Sequence, residues 1–224
     1  MKLHAGKRTG VVFNTMNYML LSLMFVLCIY PFYYIFIYSI SNPVEAQKGL
    51  TLFPRGITLT NYVTVFKLEG IPGAMLISLL RTVAGTIITV YSCSFFAYLI
   101  TREKLPFKKY LYRFVIITMY FHAGLIPWYL TMKFFQLNNN FLLYILPGAI
   151  SAYYIILIKT FIEQLPASME ESAKMDGAGY ITIFRKIIMP LSKPIVATIM
   201  VFAAVSQWNT WFDNYFLEIG RAHV

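Results

Sequence analysis

Long apolar runs constrain the fold of this chain more than any other feature of its sequence. Five of them cover residues 16–40, 75–100, 111–132, 141–162 and 194–216. Each has about the 20 residues that an α-helix needs to cross the hydrocarbon core of a bilayer. Charged residues make up only 12% of the chain, against about 25% in a soluble domain. We therefore predict an all-α polytopic membrane protein with five spans, kinked at Pro127 and Pro147 in the third and fourth.

Basic residues are concentrated in three of the polar segments that flank these runs. The segments are the N-terminal tail (residues 1–15), the link between the second and third runs, and a polar loop before the fifth run (residues 165–193). If the spans alternate, all three lie on one side, which the positive-inside rule places in the cytoplasm. Topology thus explains the net charge of +10, which in a soluble protein would suggest nucleic-acid binding. We predict a multi-pass protein of the bacterial inner or plasma membrane with a cytoplasmic N-terminus.

The polar loop is too long and too polar to lie in lipid, so it must face water. Ser168 precedes Glu171 at the spacing of a capping box, which predicts the start of a short helix. Gly177 is placed to end that helix with a left-handed residue. A second short helix is predicted over residues 181–188, up to Pro190. Two short helices that meet at a glycine form an elbow that can project from a membrane and dock with a partner.

The polar loop also resembles the signature loop of ABC-importer permeases. That signature is Glu-Ala-Ala, three residues, Gly, nine residues, Ile, one residue, Leu-Pro. The matching positions here are Glu171, Ser172, Ala173, Gly177, Ile187, Met189 and Pro190. Ser172 replaces one small residue by another, and Met189 replaces the leucine. The sequence around the motif, including Asp176 before the glycine, resembles that of the carbohydrate-uptake branch, which includes maltose-type and oligosaccharide permeases.

The resemblance implies a type I ABC-importer permease bundle that forms the translocation pathway for a sugar or oligosaccharide. The implied partners are a second homologous permease, two cytoplasmic ATPase subunits and an extracellular or periplasmic sugar-binding protein. The chain has no Gly-Lys-Ser/Thr phosphate loop, so we expect a transporter subunit without an ATPase site. We expect it to bind no cofactor and no metal, because ATP is hydrolysed by the partner subunits. The family has a sixth span, which we expect to be missing here, and we expect residues 218–224 to be a non-native tail.

The position of each residue in the polar loop predicts its role. Glu171 is predicted to pair with a basic residue of the ATPase, since charge-assisted hydrogen bonds fix the register of an interface; the alternative is a solvated helix cap. Gly177 is the predicted hinge, and Asp176 either caps the second short helix or bonds a partner. Ala173 is small enough for close approach of another backbone. We expect Glu170, which has no place in the signature, to be solvated. The predicted anchors of the elbow on the membrane helices are Ile187, Met189 and Pro190.

Polar residues within the spans are the second group of candidates. Gln207, Trp208 and Asn209 in the fifth run combine amides with an aromatic face, which suits a sugar passage. The alternative, which we favour for any one of them, is that amides join neighbouring helices and tryptophan lies at the interface. His122 is expected to be a packed hydrogen-bonding residue. Arg81 is expected to extend toward the membrane surface.

Other classes of transporter remain open alternatives. An ion-coupled secondary transporter would need acids or relays of ionisable groups inside the membrane, and Asp213 is the only acid within the five runs. A permease for peptides or amino acids is disfavoured only by the sequence around the signature. A membrane enzyme is disfavoured because the chain has no evident catalytic set.

Overall fold

The computed structural model describes residues 5–47, 49, 52–121, 123–211 and 213. His122 and the predicted non-native tail at 218–224 lie outside these described residues. Within the described ranges the chain forms helices and connecting turns, and no β-strand occurs there. The chain divides into two compact units, residues 1–72 and 73–224.

The first unit contains the first predicted span and the segment that follows it. Helix α1 (Ala5–Ser39) is followed by the short helices α2 (Pro43–Ala46) and α3 (Thr60–Lys67). Asn61 ties α3 to the end of α1, because its side-chain amide donates to the carbonyls of Ser39 and Ser41, both at 2.9 Å. These two hydrogen bonds fix the start of α3 against the end of α1.

The second unit holds the remaining helices. They are α4 (Ile71–Thr101, which begins at the boundary between the units), α5 (Lys108–Tyr120), α6 (Leu125–Phe134), a 3₁₀ turn (Phe141–Tyr144), α7 (Ala152–Ile162), α8 (Ala167–Met175), α9 (Tyr180–Ile183), a π-helical turn (Phe184–Ile188), α10 (Met189–Leu191) and α11 (Lys193–Asn209). Helix α7 packs against α5 and α11. In the described part of the chain, α4 and the stretch from Gly10 to Ser39 are each long and apolar enough to cross a membrane. A third span results if α11 is joined to the stretch Tyr180–Leu191, from which it bends by 83°.

The third and fourth apolar runs are not single kinked helices, which corrects the expectation from Pro127 and Pro147. In the third run α5 ends at Tyr120 and α6 begins at Leu125, and Gly124 directly before α6 has a φ of 77°. Pro127 then lies in the first turn of α6, where a proline costs no intrahelical hydrogen bond. Pro147 lies in the non-helical stretch between the 3₁₀ turn and α7. Apolar content alone cannot distinguish a continuous span from one whose backbone turns inside the protein.

The core of the second unit lies where α4, α7, α11 and the polar loop meet. Its fully buried side chains include Tyr98 of α4, Ile155 and Ile158 of α7, Phe184 of the π turn and Ile199 of α11. The polar loop therefore contributes to the core of the bundle, although most of its residues are polar.

Candidate functional site

The predicted elbow is present and extends over residues 167–191. Helix α8 ends at Met175 with Asp176 as its C-cap, and Gly177 follows with a φ of 77°, in the left-handed region that glycine tolerates best. The Gly177 N–H donates to the Lys174 carbonyl at 3.0 Å, and the Ala178 N–H donates to the Ala173 carbonyl at 2.9 Å. These two bonds define a Schellman motif. The prediction that Gly177 ends the first helix in a left-handed conformation is confirmed.

The predicted capping box is wrong. Helix α8 begins at Ala167 directly after Pro166, and no side chain caps its first turn. Ser168 lies inside the helix, where its carbonyl accepts a hydrogen bond from the Ser172 hydroxyl at 2.8 Å. Pro166 has the φ of −60° that its ring imposes and leads directly into the helix, so the helix starts too early for Ser168 to act as a cap.

The second arm of the elbow is longer than predicted. It runs from Tyr180 through Pro190 to Leu191 instead of stopping before the proline. In its middle the Met189 N–H donates to the Phe184 carbonyl, five residues back. A proline has no N–H to donate and its ring crowds the preceding turn. The wider π turn directly before Pro190 lets the chain stay helical there, and such turns are frequent at functional sites.

Phe184 anchors this arm to the bundle, a role that the sequence interpretation missed. Its ring lies edge-on to Tyr91 and Phe95, with centroids 5.8 Å and 5.3 Å away, and 5.4 Å from the ring of Tyr98. Such aromatic pairs add stability beyond the area they bury. A signal was available, because an aromatic residue within an otherwise apolar helical face is usually a core residue.

The predicted anchors behave differently from one another. Ile187 and Met189 are partly buried and pack against the core, whereas Pro190 is exposed. Ala173 is also buried in this core, so its small side chain allows α8 to approach the bundle. Asp176 is exposed and does not cap α9, whose N-cap is Gly179 without a side-chain hydrogen bond.

The two adjacent acids of α8 differ in burial. Glu171 is exposed. Glu170 is only 13% exposed and forms an ion pair with Arg102, which is equally buried, while the Lys174 ammonium lies 2.9 Å from the same carboxylate. The prediction that Glu170 is solvated is therefore wrong. Neighbouring residues on an α-helix point about 100° apart, so the face that α8 turns to the bundle decided which acid was buried.

The elbow exposes apolar side chains that the sequence interpretation also missed. Met175 is 88% exposed and Ile181 is 61% exposed. Met169 and Tyr180 are exposed as well. We call these four residues the elbow tip. Exposed large apolar side chains on a polar element are typical of a protein contact surface, and methionine suits a surface that must adapt to a partner.

A cavity of about 580 Å³ lies in the second unit. Its walls include Arg81, Phe121, Trp128, Tyr144, Ser206, Gln207, Thr210 and Asp213. Gln207 is buried and occupies the space beside two glycines: a Cβ on Gly85 would lie 2.6 Å from its Nε2 atom, and one on Gly148 would lie 3.1 Å away. The amide of Gln207 therefore fills a helix crossing and borders the cavity.

The other two residues predicted for the passage are not in the cavity wall. Trp208 and Asn209 are exposed. The Asn209 amide donates to the Val205 carbonyl of its own helix at 2.8 Å. Of the three predicted residues, the structure brings only Gln207 to the cavity.

Arg81 is buried in the cavity wall, so the prediction that it extends to the membrane surface is wrong. Its guanidinium binds Asp213 through two nitrogens, at 2.8 Å and 3.3 Å, and donates to the Thr210 carbonyl at 2.9 Å. It also lies 4.7 Å from the centre of the Tyr144 ring. The side chains of Arg81 and Asp213 are 6% and 9% exposed. This pair joins α4 to the chain that follows α11.

Metal binding has no support within the described residues. No group of three or more His, Cys, Asp or Glu side chains there could hold a metal ion.

Comparison with known proteins identifies the family. Residues 1–212 match the family model of the binding-protein-dependent transport system inner membrane component. The chain belongs to this family. Members of the family are permease subunits of ABC importers and work with a binding protein and an ATPase. The chain is therefore a membrane transporter subunit.

Individual relatives and one solved structure agree with this assignment. The chain is 37% identical to the protein LplC of Bacillus subtilis, over 92% of this chain and 70% of the relative. It is 36% identical to the polygalacturonan/rhamnogalacturonan transport system permease protein YtcP of the same organism, over 89% of this chain and 70% of the relative. A bacterial ABC transporter involved in the import of the acidic polysaccharide alginate contains a chain with a TM-score of 0.88 and 31% identity, covering 94% of this chain and 76% of that one. The predicted family, that of carbohydrate ABC-importer permeases, and the predicted type I permease fold are confirmed.

Proposed function

We propose that this chain forms part of the translocation pathway of an ATP-driven carbohydrate importer and is coupled to a cytoplasmic ATPase through the elbow. The observation that carries the proposal is the construction of the elbow. Its inner face, with Phe184, is part of the bundle core, while its tip exposes Met175 and Ile181. An element that is fixed on one side and apolar on the other is suited to transmit the movement of a docked partner.

The proposed assembly contains this permease, a second homologous permease, two ATPase subunits and an extracellular or periplasmic sugar-binding protein. The elbow and the N-terminus face the cytoplasm, in keeping with their basic residues. The chain itself binds no cofactor or metal and has no ATPase site, and ATP is hydrolysed by the partner subunits.

Transport then follows an alternating-access cycle. ATP closes the ATPase pair, the elbows of both permeases move with it, and the bundle changes from inward-facing to outward-facing. The binding protein delivers the sugar to the opened cavity. Nucleotide drives the change because it binds one of the two states more tightly.

An oligosaccharide is the proposed substrate. Relatives are named for polygalacturonan/rhamnogalacturonan and for galactooligosaccharides. The cavity offers aromatic faces, such as Trp128, and the amide of Gln207, a combination that suits sugar rings. Deletion of the gene should abolish uptake of a radiolabelled oligogalacturonide or galactooligosaccharide, with a labelled tripeptide as the probe for the alternative solute class. Loss of tripeptide uptake alone would overturn the carbohydrate assignment.

Thiol cross-linking tests the docking of the elbow. In full-length permease with Cys28 changed to serine, Met175→Cys should cross-link to the ATPase subunit in isolated membranes, since Cys93 is buried and does not compete. The matched control is Phe134→Cys, an equally exposed position at the end of α6 that the predicted topology places on the opposite side of the membrane. Equal cross-linking at both positions, or at neither, would contradict the proposed docking surface.

A further inference from the structure

The cytoplasmic end of α4 carries a cluster of interactions that the docking of an ATPase does not by itself require. Arg102 directly follows α4 and lies over the Tyr98 ring, with its guanidinium carbon 4.1 Å from the ring centre. It donates to the Thr101 hydroxyl at 2.7 Å and to the Tyr98 carbonyl at 3.2 Å. It also forms the ion pair with Glu170 of α8. Burial lowers the pKa of Arg102 from its ordinary value, which marks a guanidinium partly withdrawn from water.

Both arms of the elbow meet this same turn of α4. The first arm reaches it through Glu170, which pairs with Arg102. The second arm reaches it through Phe184, whose ring packs on Tyr98 at 5.4 Å. Tyr98 therefore lies between the cation that holds one arm and the ring that holds the other. An elbow attached at two points cannot pivot freely about Gly177 relative to α4.

Helix α4 connects this turn to the cavity without a break. It is one helix from Ile71 to Thr101, and about 1.5 Å of rise per residue places Arg81 roughly 30 Å along the axis from Arg102. Arg81 is bound to Asp213, and Gly85 is in contact range of Gln207. A continuous helix with specific contacts beside the cavity and at its elbow end is a rigid element, and the cavity and the elbow can each shift its position.

We propose that the Arg102–Glu170 pair is a latch that makes α4 move together with the elbow, so that movement of the docked ATPase reaches the cavity. This inference rests on the proposed function of the elbow. Arg102 and Glu170 are positioning residues, since neither touches nucleotide or sugar in this arrangement. Glu171 is exposed and available to the partner, whereas Glu170 is paired with Arg102. The two adjacent acids therefore serve two different steps, docking and transmission.

If the pair is a latch, its removal should leave docking of the ATPase intact and abolish transmission of movement to the cavity. In Glu170→Gln the side chain keeps its size but loses its charge, so α8 should stay helical and the elbow tip should remain exposed. The ATPase should still be bound and should still hydrolyse ATP. The conformational change at the cavity that normally accompanies ATP binding should be lost. If the pair only stabilised the fold, the fraction of Glu170→Gln permease that folds would show normal coupling.

The experiment uses full-length permease assembled with its partners in lipid nanodiscs. Ser206, which borders the cavity, is changed to cysteine in the Cys28→Ser background as a reporter, and its labelling by a fluorescent maleimide is followed with and without ATP and vanadate. The ATP-dependent change in labelling rate should fall by about tenfold in Glu170→Gln, which is within the range of coupling factors between two sites. Co-purification of the ATPase with the permease should remain as in the parent protein.

A matched control and a rescue complete the design. Glu163→Gln removes another ion pair near the same end of the bundle, that with Lys159 at 2.7 Å, and should leave the ATP-dependent change intact. Exchange of the charges in Arg102→Glu with Glu170→Arg should restore part of that change. Normal coupling in Glu170→Gln with the ATPase bound would overturn the latch alone. Failure of the parent protein to bind the ATPase would overturn the proposed function of the elbow.

Discussion

Arg81 within α4 and Arg102 directly after it each form an ion pair with a carboxylate, but the two pairs differ in their exposure to water. At the cavity, Arg81 binds Asp213 through two nitrogens in a site where both side chains are less than one-tenth exposed. At the elbow, Arg102 shares Glu170 with Lys174, whose side chain is half exposed. The first pair is buried in the cavity wall, whereas the second lies beside a lysine that is half exposed to water. The difference predicts that loss of the first pair affects mainly the fold, whereas loss of the second affects mainly coupling.

The largest effect is expected at the cavity pair. Asp213→Ala would leave the Arg81 charge buried, and the loss of one partner of a buried pair costs about 3–5 kcal/mol. The folded permease should largely disappear from the membrane, as measured by fluorescence-detected size-exclusion chromatography across a temperature ramp. Combining Arg81→Leu with Asp213→Leu should recover part of the stability, since no buried charge remains. A single variant as stable as the parent would show that water already reaches this pair.

The next largest loss of stability is expected where Gly85 lies against the Gln207 side chain, beside that pair. Gly85→Ala places a methyl group 2.6 Å from the Gln207 amide, and overpacking of this kind costs about 1–3 kcal/mol. The melting temperature of the purified permease should fall, and Gln207→Ala in the same chain should relieve the clash. Gly73→Ala in the same helix meets no atom within 4 Å and serves as the control. Equal shifts at both glycines would argue against a tight crossing.

The elbow hinge should respond less in stability and more in assembly. Gly177→Val forces a β-branched residue into the left-handed region, at a cost of about 1–2 kcal/mol. The bundle should still insert, but less ATPase should co-purify because the tip is displaced. Gly179→Val is the matched control, since its φ of −72° is accessible to any residue. A hinge role would be refuted by normal ATPase binding in Gly177→Val.

The smallest effect on stability is expected at Glu171. The side chain is exposed, so Glu171→Lys should change the free energy of unfolding by no more than about 1 kcal/mol. Uptake should nevertheless collapse if the carboxylate pairs with a basic residue of the ATPase, and a charge reversal on the ATPase should restore part of it. Glu163→Lys is the control, because Glu170 is engaged with Arg102. Full transport by Glu171→Lys would reduce this acid to a solvated side chain.

Sequence patterns predicted one part of the site well and another part poorly. The left-handed Gly177 followed from a local rule about helix ends, and the structure confirms it. The burial of Glu170 and Arg81 could not be predicted in that way, because both depend on cations or carboxylates more than 60 positions away in the chain. The pairing roles of Glu171 and Asp176, and the passage role of Trp208 and Asn209, stay predictions.

The sequence by itself determined the class of the protein, the family and the position of the elbow. These properties depend on apolar content, charge bias and short spacings, all of which are local. Only the tertiary structure decided which face of α8 is buried, where the third and fourth apolar runs leave the helix, and which polar groups meet at the cavity. Those outcomes depend on packing between distant segments, where a rotation of about 100° per residue exchanges a buried side chain for an exposed one.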